Sequence, residues 1–194
     1  MLSLKNLKRD QAGFTLVEIA IVMVIIGLLI GGVLKGQAMI ENAKVKRVVK
    51  QADELRAAVM TFYDKYGVYP GDNNLANVPP GSNGTGNGNG QIAGAEVFRA
   101  FLELSLAELI SGTYDGTTTL PKHSFGGNVD VVWVNPPGNS TPPAHYIRYY
   151  NLPGEICQEI DLKNDDGDPV AGTIVSSSGV YTKGTTVPIL YVKF

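Results

Sequence analysis

The sequence is poor in cysteine and histidine, the residues that form disulfides and many catalytic or metal sites. Cys157 is its single cysteine, so an intrachain disulfide is excluded, and we interpret this side chain as a small buried apolar group. The only histidines, His123 and His145, lie outside any metal-ligand spacing, and no serine stands in a nucleophile-elbow pattern. Because no motif combines a nucleophile, a base and an orienting group, the sequence does not predict an enzyme.

Charge is nearly missing from a long stretch near the start of the chain. Residues 14–34 form an apolar run of 21 residues in which Glu18 is the only charged residue. A helix of that length covers about 30 Å, which matches the hydrocarbon core of a bilayer. The run therefore predicts a membrane-spanning helix at the front of the chain.

The edge of this run differs from that of a simple anchor. Three basic residues precede the boundary glycine, Gly13: Lys5, Lys8 and Arg9. Glu18 then stands a few residues inside the apolar run. A secretory signal peptide has a shorter apolar region followed by a small-residue cleavage site. A signal anchor whose glutamate reaches the headgroup region is an alternative, but it leaves the glycine and the basic leader unexplained.

The segment Gly13-Phe14-Thr15-Leu16-Val17-Glu18 resembles the processing motif of type IV pilins and of the pseudopilins of type II secretion systems. The resemblance implies that a prepilin peptidase cuts between Gly13 and Phe14 and methylates the amine of Phe14, while the Glu18 carboxylate serves assembly. It also implies an inner-membrane precursor with a cytoplasmic leader and a periplasmic head. An inner-membrane assembly platform would then build a periplasmic or cell-surface filament from this chain and other pilins.

A one-sided apolar stripe continues the helix beyond the membrane span. No proline occurs between Gly36 and Tyr66, and apolar residues recur in alternating steps of three and four: Val45, Val48, Ala52, Leu55, Val59, Phe62 and Tyr66. A coiled coil would show the same stripe, but no segment of matching period follows, so packing on a sheet is favoured. We predict one helix from Phe14 to Tyr66, ended by Gly67. Residues 62–70 are also similar to the end of the long helix in the major pseudopilins.

The remaining residues predict an α+β head. The glycine- and asparagine-rich segment 77–94 has little to bury and predicts a mobile loop. A second helix is expected from Ala95 to Ser111, capped by Gly112, and a short one over 153–163. The last third of the chain predicts several strands: 129–133, 146–150, 187–194 and a hairpin formed by 173–175 with 180–182.

These elements define the predicted organisation. It has four parts: a prepilin leader (1–13), a membrane-spanning, filament-core half of the helix (14–34), an amphipathic half (35–66) and a globular head (67–194). The expected fold class is α+β and pilin-like, with a long N-terminal helix packed on a C-terminal antiparallel sheet.

The one candidate ligand site is an acidic segment around Gly167. It carries four aspartates: Asp161, Asp165, Asp166 and Asp168. Several oxygen ligands in a tight loop suit calcium. The resemblance adds that major pseudopilins bind calcium in a C-terminal loop, although these residues do not align cleanly with it. An ordinary Asp-Asp-Gly turn is the favoured alternative, and no other cofactor is expected.

Charge is distributed unevenly along the chain. Residues 35–66 carry seven basic and four acidic side chains, whereas residues 67–194 carry six basic and twelve acidic ones. An acidic head repels phosphate backbones, so no nucleic-acid partner is expected, and a DNA-uptake pilin would need a basic patch that the head does not show. We interpret the chain as a structural filament subunit. The alternative is a signal-anchored periplasmic binding module, with calcium as its candidate ligand, which would keep residues 1–13.

Overall fold

The computed structural model describes residues 13–138 and 142–194, so the basic leader residues Lys5, Lys8 and Arg9 lie outside the described residues. The chain divides into two compact units, one up to Asn42 and one from Ala43 onwards. A single helix, α1 (Leu16–Tyr66), supplies residues to both units. The predicted long N-terminal helix is thereby confirmed.

The described part of the first unit is the first half of α1. All its large apolar side chains from Phe14 to Leu34 are exposed. Apolar surface left in water costs about 25 cal/mol per Å². This half of α1 therefore needs lipid or other protein to cover it.

The second half of α1 supplies one side of the core of the second unit. The predicted stripe is buried there: Val45, Val48, Ala52, Leu55, Val59 and Phe62. The Tyr149 hydroxyl donates to the Val48 carbonyl at 3.0 Å and so ties the helix to the sheet. Gly67 ends the helix as predicted, with φ of 75° and its N–H donating to the Tyr63 carbonyl at 2.7 Å.

The other side of that core is a four-stranded antiparallel sheet. Its strands are β1 (Val129–Val134), β2 (Ala144–Pro153), β3 (Ile174–Ser176) and β4 (Thr186–Lys193), in the order β1-β2-β4-β3. One register row crosses all four strands and packs into the core: Val131, Ile147, Val192 and Ile174. The predicted strands are confirmed except for 180–182. Those residues form no strand, because β3 pairs with β4 instead of with residues 180–182.

The opposite face of the sheet carries a buried ion pair. Asp130 on β1 and Arg148 on β2 are register partners. The Arg148 guanidinium donates two hydrogen bonds to the Asp130 carboxylate, from Nε at 2.8 Å and from Nη2 at 2.7 Å. The Tyr150 hydroxyl donates to the same carboxylate at 2.9 Å. Asp130 is almost fully buried, so its charge depends on these partners.

The second helix is shorter than predicted. Helix α2 (Glu96–Leu106) ends before Ser111, and Gly112 does not cap it. Glu108 instead takes the left-handed conformation, with φ of 61°, and the Leu109 N–H closes back on the Leu104 carbonyl at 3.0 Å. The predicted short helix is confirmed as α3 (Gly154–Asn164).

The glycine-rich segment after α1 is held in place, contrary to the predicted mobile loop. The Gly86 and Gly88 N–H groups donate to the Asn73 and Asp72 carbonyls at 2.8 and 2.9 Å. The backbone at Gly86 lies so close to residue 72 that a β-carbon there would be 2.2 Å from the Asp72 carbonyl carbon. The glycines therefore allow close backbone packing, and Ile92 at the end of the segment is fully buried.

Buried carboxylates complete the attachment of this segment. Asp72 accepts the Asn89 and Gly90 N–H groups at 3.1 and 2.7 Å. Glu103 on α2 accepts the Gly71 N–H at 2.8 Å and the Ser82 hydroxyl at 2.7 Å. Burial raises the pKa of Glu103 even though these bonds oppose the shift.

Candidate functional site

The start of α1 is a capping box built from Thr15 and Glu18. The Thr15 hydroxyl accepts the Glu18 N–H at 3.2 Å, and the Glu18 carboxylate accepts the Thr15 N–H at 2.8 Å. The hydroxyl also donates to that carboxylate at 2.8 Å. These bonds satisfy backbone donors that the first turn of a helix leaves free. The role of Thr15 was missed in the sequence, although a threonine three residues before a glutamate is the known pattern.

Glu18 lies on an apolar helix surface. Its side chain is exposed, and so are the neighbouring Val17, Ile21 and Val22. By length and composition α1 is apolar enough at this end to cross a membrane. A carboxylate in that setting is costly unless a cation or strong donors meet it. Thr15 supplies hydrogen bonds but no positive charge.

Gly13 and Phe14 lie outside the helix. Both are exposed, and Phe14 leaves 84% of its surface open. The peptide bond between them is therefore accessible next to the first helical turn. The predicted cleavage there and the predicted role of Glu18 remain predictions.

The rings of the two histidines, His123 and His145, are held by hydrogen bonds and aromatic contacts within the head. The His123 Nε2 lies 2.8 Å from the Tyr150 carbonyl, and its Nδ1 accepts the Phe125 N–H at 3.1 Å, which fixes a neutral ring. The His145 ring packs between aromatic rings, and its Nε2 accepts the Ile92 N–H at 3.4 Å. Burial lowers the pKa of both, to about 4 for His145. Neither ring is free to transfer a proton.

Cys157 lies in the core, as the sequence predicted. It is fully buried on α3, and burial raises the pKa of its thiol to about 12. A thiol in this environment stays protonated and is a poor nucleophile.

The acidic segment brings three of the four predicted aspartates together. Ligand oxygens of Asp161, Asp165 and Asp166 lie within 4.8 Å of one another. Asp168 lies outside that group and accepts the Val170 N–H at 3.1 Å. The fold thus brings three of the four candidates together, and calcium binding by any of them remains a prediction.

Several oxygens of this cluster already accept hydrogen bonds within the fold. Asp161 accepts the Gly167 N–H at 3.1 Å and the Tyr181 hydroxyl at 2.7 Å. Asp165 accepts the Ile174 N–H at 2.8 Å. Burial raises the pKa of Asp161, which disfavours its charged form. A calcium ion would compete with these hydrogen bonds, so the donor set fits a structural turn better than a cation site.

The exposed bond before the helix, the glutamate in the first turn and the long apolar helix with an α+β head define a pilin-like protein. Its first helix is apolar enough to cross a membrane. Residues 8–34 match the family model of the prokaryotic N-terminal methylation motif. The chain is 35% identical over 79 residues to the fimbrial protein EcpC of Eikenella corrodens. It is 36% identical over 73 residues to the type IV major pilin protein PilE of Neisseria gonorrhoeae and, over the same length, to a fimbrial protein of Neisseria meningitidis.

The methylation motif and these relatives support a likeness of the N-terminal part of the chain to type IV pilins. The matches cover 37–40% of this chain, and the chain spans about half the length of these curated relatives, from 43% to 52%. No solved structure matches the chain. The likeness points to a structural protein rather than an enzyme.

Proposed function

We propose that this chain is a structural subunit of a type IV pilus or of a pseudopilus-like filament of a type II secretion system. In this proposal the prepilin peptidase cuts between Gly13 and Phe14 and methylates Phe14. The assembly platform then stacks the mature chain with other copies or other pilins. The observation that carries the proposal is the exposed apolar surface of residues 14–34, which lies within the matched methylation motif. Helix packing within a filament would cover that surface.

Glu18 has a specific part in this proposal. Its carboxylate would pair with the Phe14 ammonium of a neighbouring subunit, because within its own chain its described hydrogen-bond partner is the uncharged Thr15. Pairing would compensate two desolvated charges and favour one axial register between neighbours. A purely local alternative is that Glu18 only caps the helix.

Processing is tested by intact-mass and N-terminal peptide analysis in cells with an active peptidase. We expect a mature chain that begins at methylated Phe14. Replacing Gly13 by a bulky residue should block cleavage, because the peptidase must accommodate an extended, small residue before the cut. Recovery of an unprocessed wild-type chain would contradict the filament function and favour the signal-anchored binding module.

Assembly is tested with a set of substitutions that separates charge from capping. Glu18→Gln keeps the acceptor of the capping box but removes the charge, whereas Thr15→Val removes the cap but keeps the charge. Glu18→Ala removes both, and Glu18→Asp keeps the charge on a shorter stem. We expect normal cleavage throughout, no filaments with alanine or glutamine, partial assembly with aspartate, and filaments with Thr15→Val. Abundant Glu18→Gln filaments would reduce Glu18 to a capping residue.

A further inference from the structure

The outward side of α1 in the second unit carries uncompensated positive charge. We name Lys46, Arg47 and Lys50 the basic patch, and all three side chains are exposed. Arg47 and Lys50 share one carboxylate, that of Glu54, at 2.9 and 3.5 Å. Lys46 forms no ion pair or hydrogen bond among the described residues. Three cations thus face one anion, which leaves two positive charges in excess.

A surface of negative charge lies at the end of α3. We name Asp166, Asp168, Leu162 and Val170 the acidic corner, and all four side chains are exposed. Neither aspartate forms an ion pair within the part of the chain that the structure describes, since the nearby Lys163 pairs with Glu159 at 2.5 Å. The corner therefore presents two uncompensated negative charges.

The apolar members of the corner lie beside its acidic turn. A β-carbon at Gly167 would be 2.5 Å from the Leu162 side chain, so this leucine covers the acidic turn, and 61% of its own surface is exposed. Val170 follows at the end of the turn, where its N–H donates to Asp168. A partner for this surface needs positive charge together with methylene groups. Lysine and arginine offer both, because their stems pack on apolar groups while their heads reach carboxylates.

We propose that the basic patch of one copy of this chain docks on the acidic corner of the next copy. The inference rests on the proposed filament function and adds the head contact that accompanies helix packing. The two surfaces are different, so the contact is heterologous: each copy keeps one patch free at either end, and the assembly continues instead of closing into a dimer. An anionic membrane or a nucleic acid would attract the basic patch but repel the acidic corner.

Site-specific cross-linking tests the contact in filaments of the full chain. The parent is Cys157→Ser, which removes the only, buried cysteine. Lys46→Cys and Leu162→Cys are introduced together, which leaves the aspartate hydrogen bonds of the corner intact. A short bis-maleimide is the reagent, since a lysine-to-carboxylate contact holds the backbones further apart than a disulfide allows. We expect a ladder of covalent multimers from the double variant, and only dimers from a mixture of the two single variants.

The control pairs Lys46→Cys with Asn83→Cys, an exposed residue of the glycine-rich segment. It should give no ladder. Filaments without a ladder in the Lys46→Cys/Leu162→Cys variant would overturn this inference and leave the filament function standing. A parent that forms no filaments would overturn the filament function, and the inference with it.

Charge removal gives a second test. Asp166→Asn with Asp168→Asn keeps side-chain oxygens that can accept the N–H groups of the turn but removes both charges. We expect this double variant, and likewise Lys46→Gln with Lys50→Gln, to form fewer filaments than the parent at low salt. At high salt, where charges are screened, the filament yields of variants and parent should be equal. If only the lysine variant has an effect, and that effect is weaker membrane retention of unassembled chain, the basic patch binds anionic lipid and the proposal is wrong.

Discussion

Protonation of His145 should destabilise the head at mildly acidic pH. The ring is 5% exposed, is surrounded by Tyr69, Trp133 and Phe194, and accepts the Ile92 N–H on Nε2. A proton on that nitrogen would break the hydrogen bond and place a charge among aromatic rings. The nearby Asp72 opposes the effect but does not cancel it, because burial still lowers the pKa to about 4.

The change in the free energy of unfolding depends on how far the pKa of His145 differs between the folded and unfolded states. The unfolded ring has a pKa of about 6.5, so between pH 6.5 and 4 the unfolded chain binds the proton and the folded chain does not. Stability is therefore lost as pH falls through this window. Each unit of pKa difference corresponds to about 1.4 kcal/mol, and from pH 7 to pH 5 the loss amounts to about 2 kcal/mol.

Urea unfolding of the full chain in detergent measures this loss. Trp133, the only tryptophan, stacks edge-on against His145 with ring centroids 4.9 Å apart, so its fluorescence reports the same region. His145→Gln keeps an acceptor for the Ile92 N–H but cannot be protonated in this range. We expect its stability to fall from pH 7 to pH 5 by about 2 kcal/mol less than that of the wild type.

Comparing the variant with the wild type at both pH values removes the contribution of other groups. Glu103 and Asp161 have a raised pKa, so they bind protons first in the folded state and act in the opposite direction. His123→Gln is the matched control, and its effect should be smaller because the Tyr150 carbonyl favours protonation of that ring. If His145→Gln and the wild type lose the same stability, the buried neutral ring is refuted.

Three further predictions concern the head. Millimolar calcium should leave its melting temperature unchanged, because Asp161 and Asp165 are already hydrogen-bonded; a clear rise would establish a cation site by mass action. Gly86→Ala should lower the free energy of unfolding in urea by about 2–3 kcal/mol, since its methyl group would overlap the backbone of residue 72. Gly90→Ala should lower it by about 1 kcal/mol, through backbone strain alone. Equal losses would contradict the close approach at Gly86. Arg148→Leu should cost about 3–5 kcal/mol by leaving a buried carboxylate unpaired, against roughly 0.5 kcal/mol for Lys163→Ala at an exposed pair; similar values for both would show that burial of the first pair is overestimated.

The sequence by itself determined the elements whose cause is local. An apolar run of 21 residues with a single charge needs only its own composition to predict a spanning helix, and the stripe from Val45 to Phe62 repeats with the period of that helix. The strands were predictable because side chains alternate between two faces. Even the capping box was present as a threonine and a glutamate three residues apart, although it was not used.

The tertiary structure decided what depends on residues far apart in the chain. Composition marked the glycine-rich segment as loose, but Asp72 binds its backbone and Glu103 of α2 binds its Ser82 hydroxyl. Glycine is needed there for close packing rather than for freedom. The sequence offered the acidic segment as a candidate calcium site with an ordinary turn as the favoured interpretation. Only the fold brings the Tyr181 hydroxyl and the Ile174 N–H of β3 to the Asp161 and Asp165 carboxylates. Hydrophobic periodicity and composition describe what a segment prefers in isolation. Which distant strand or helix supplies its hydrogen-bond partners is decided only when the chain packs.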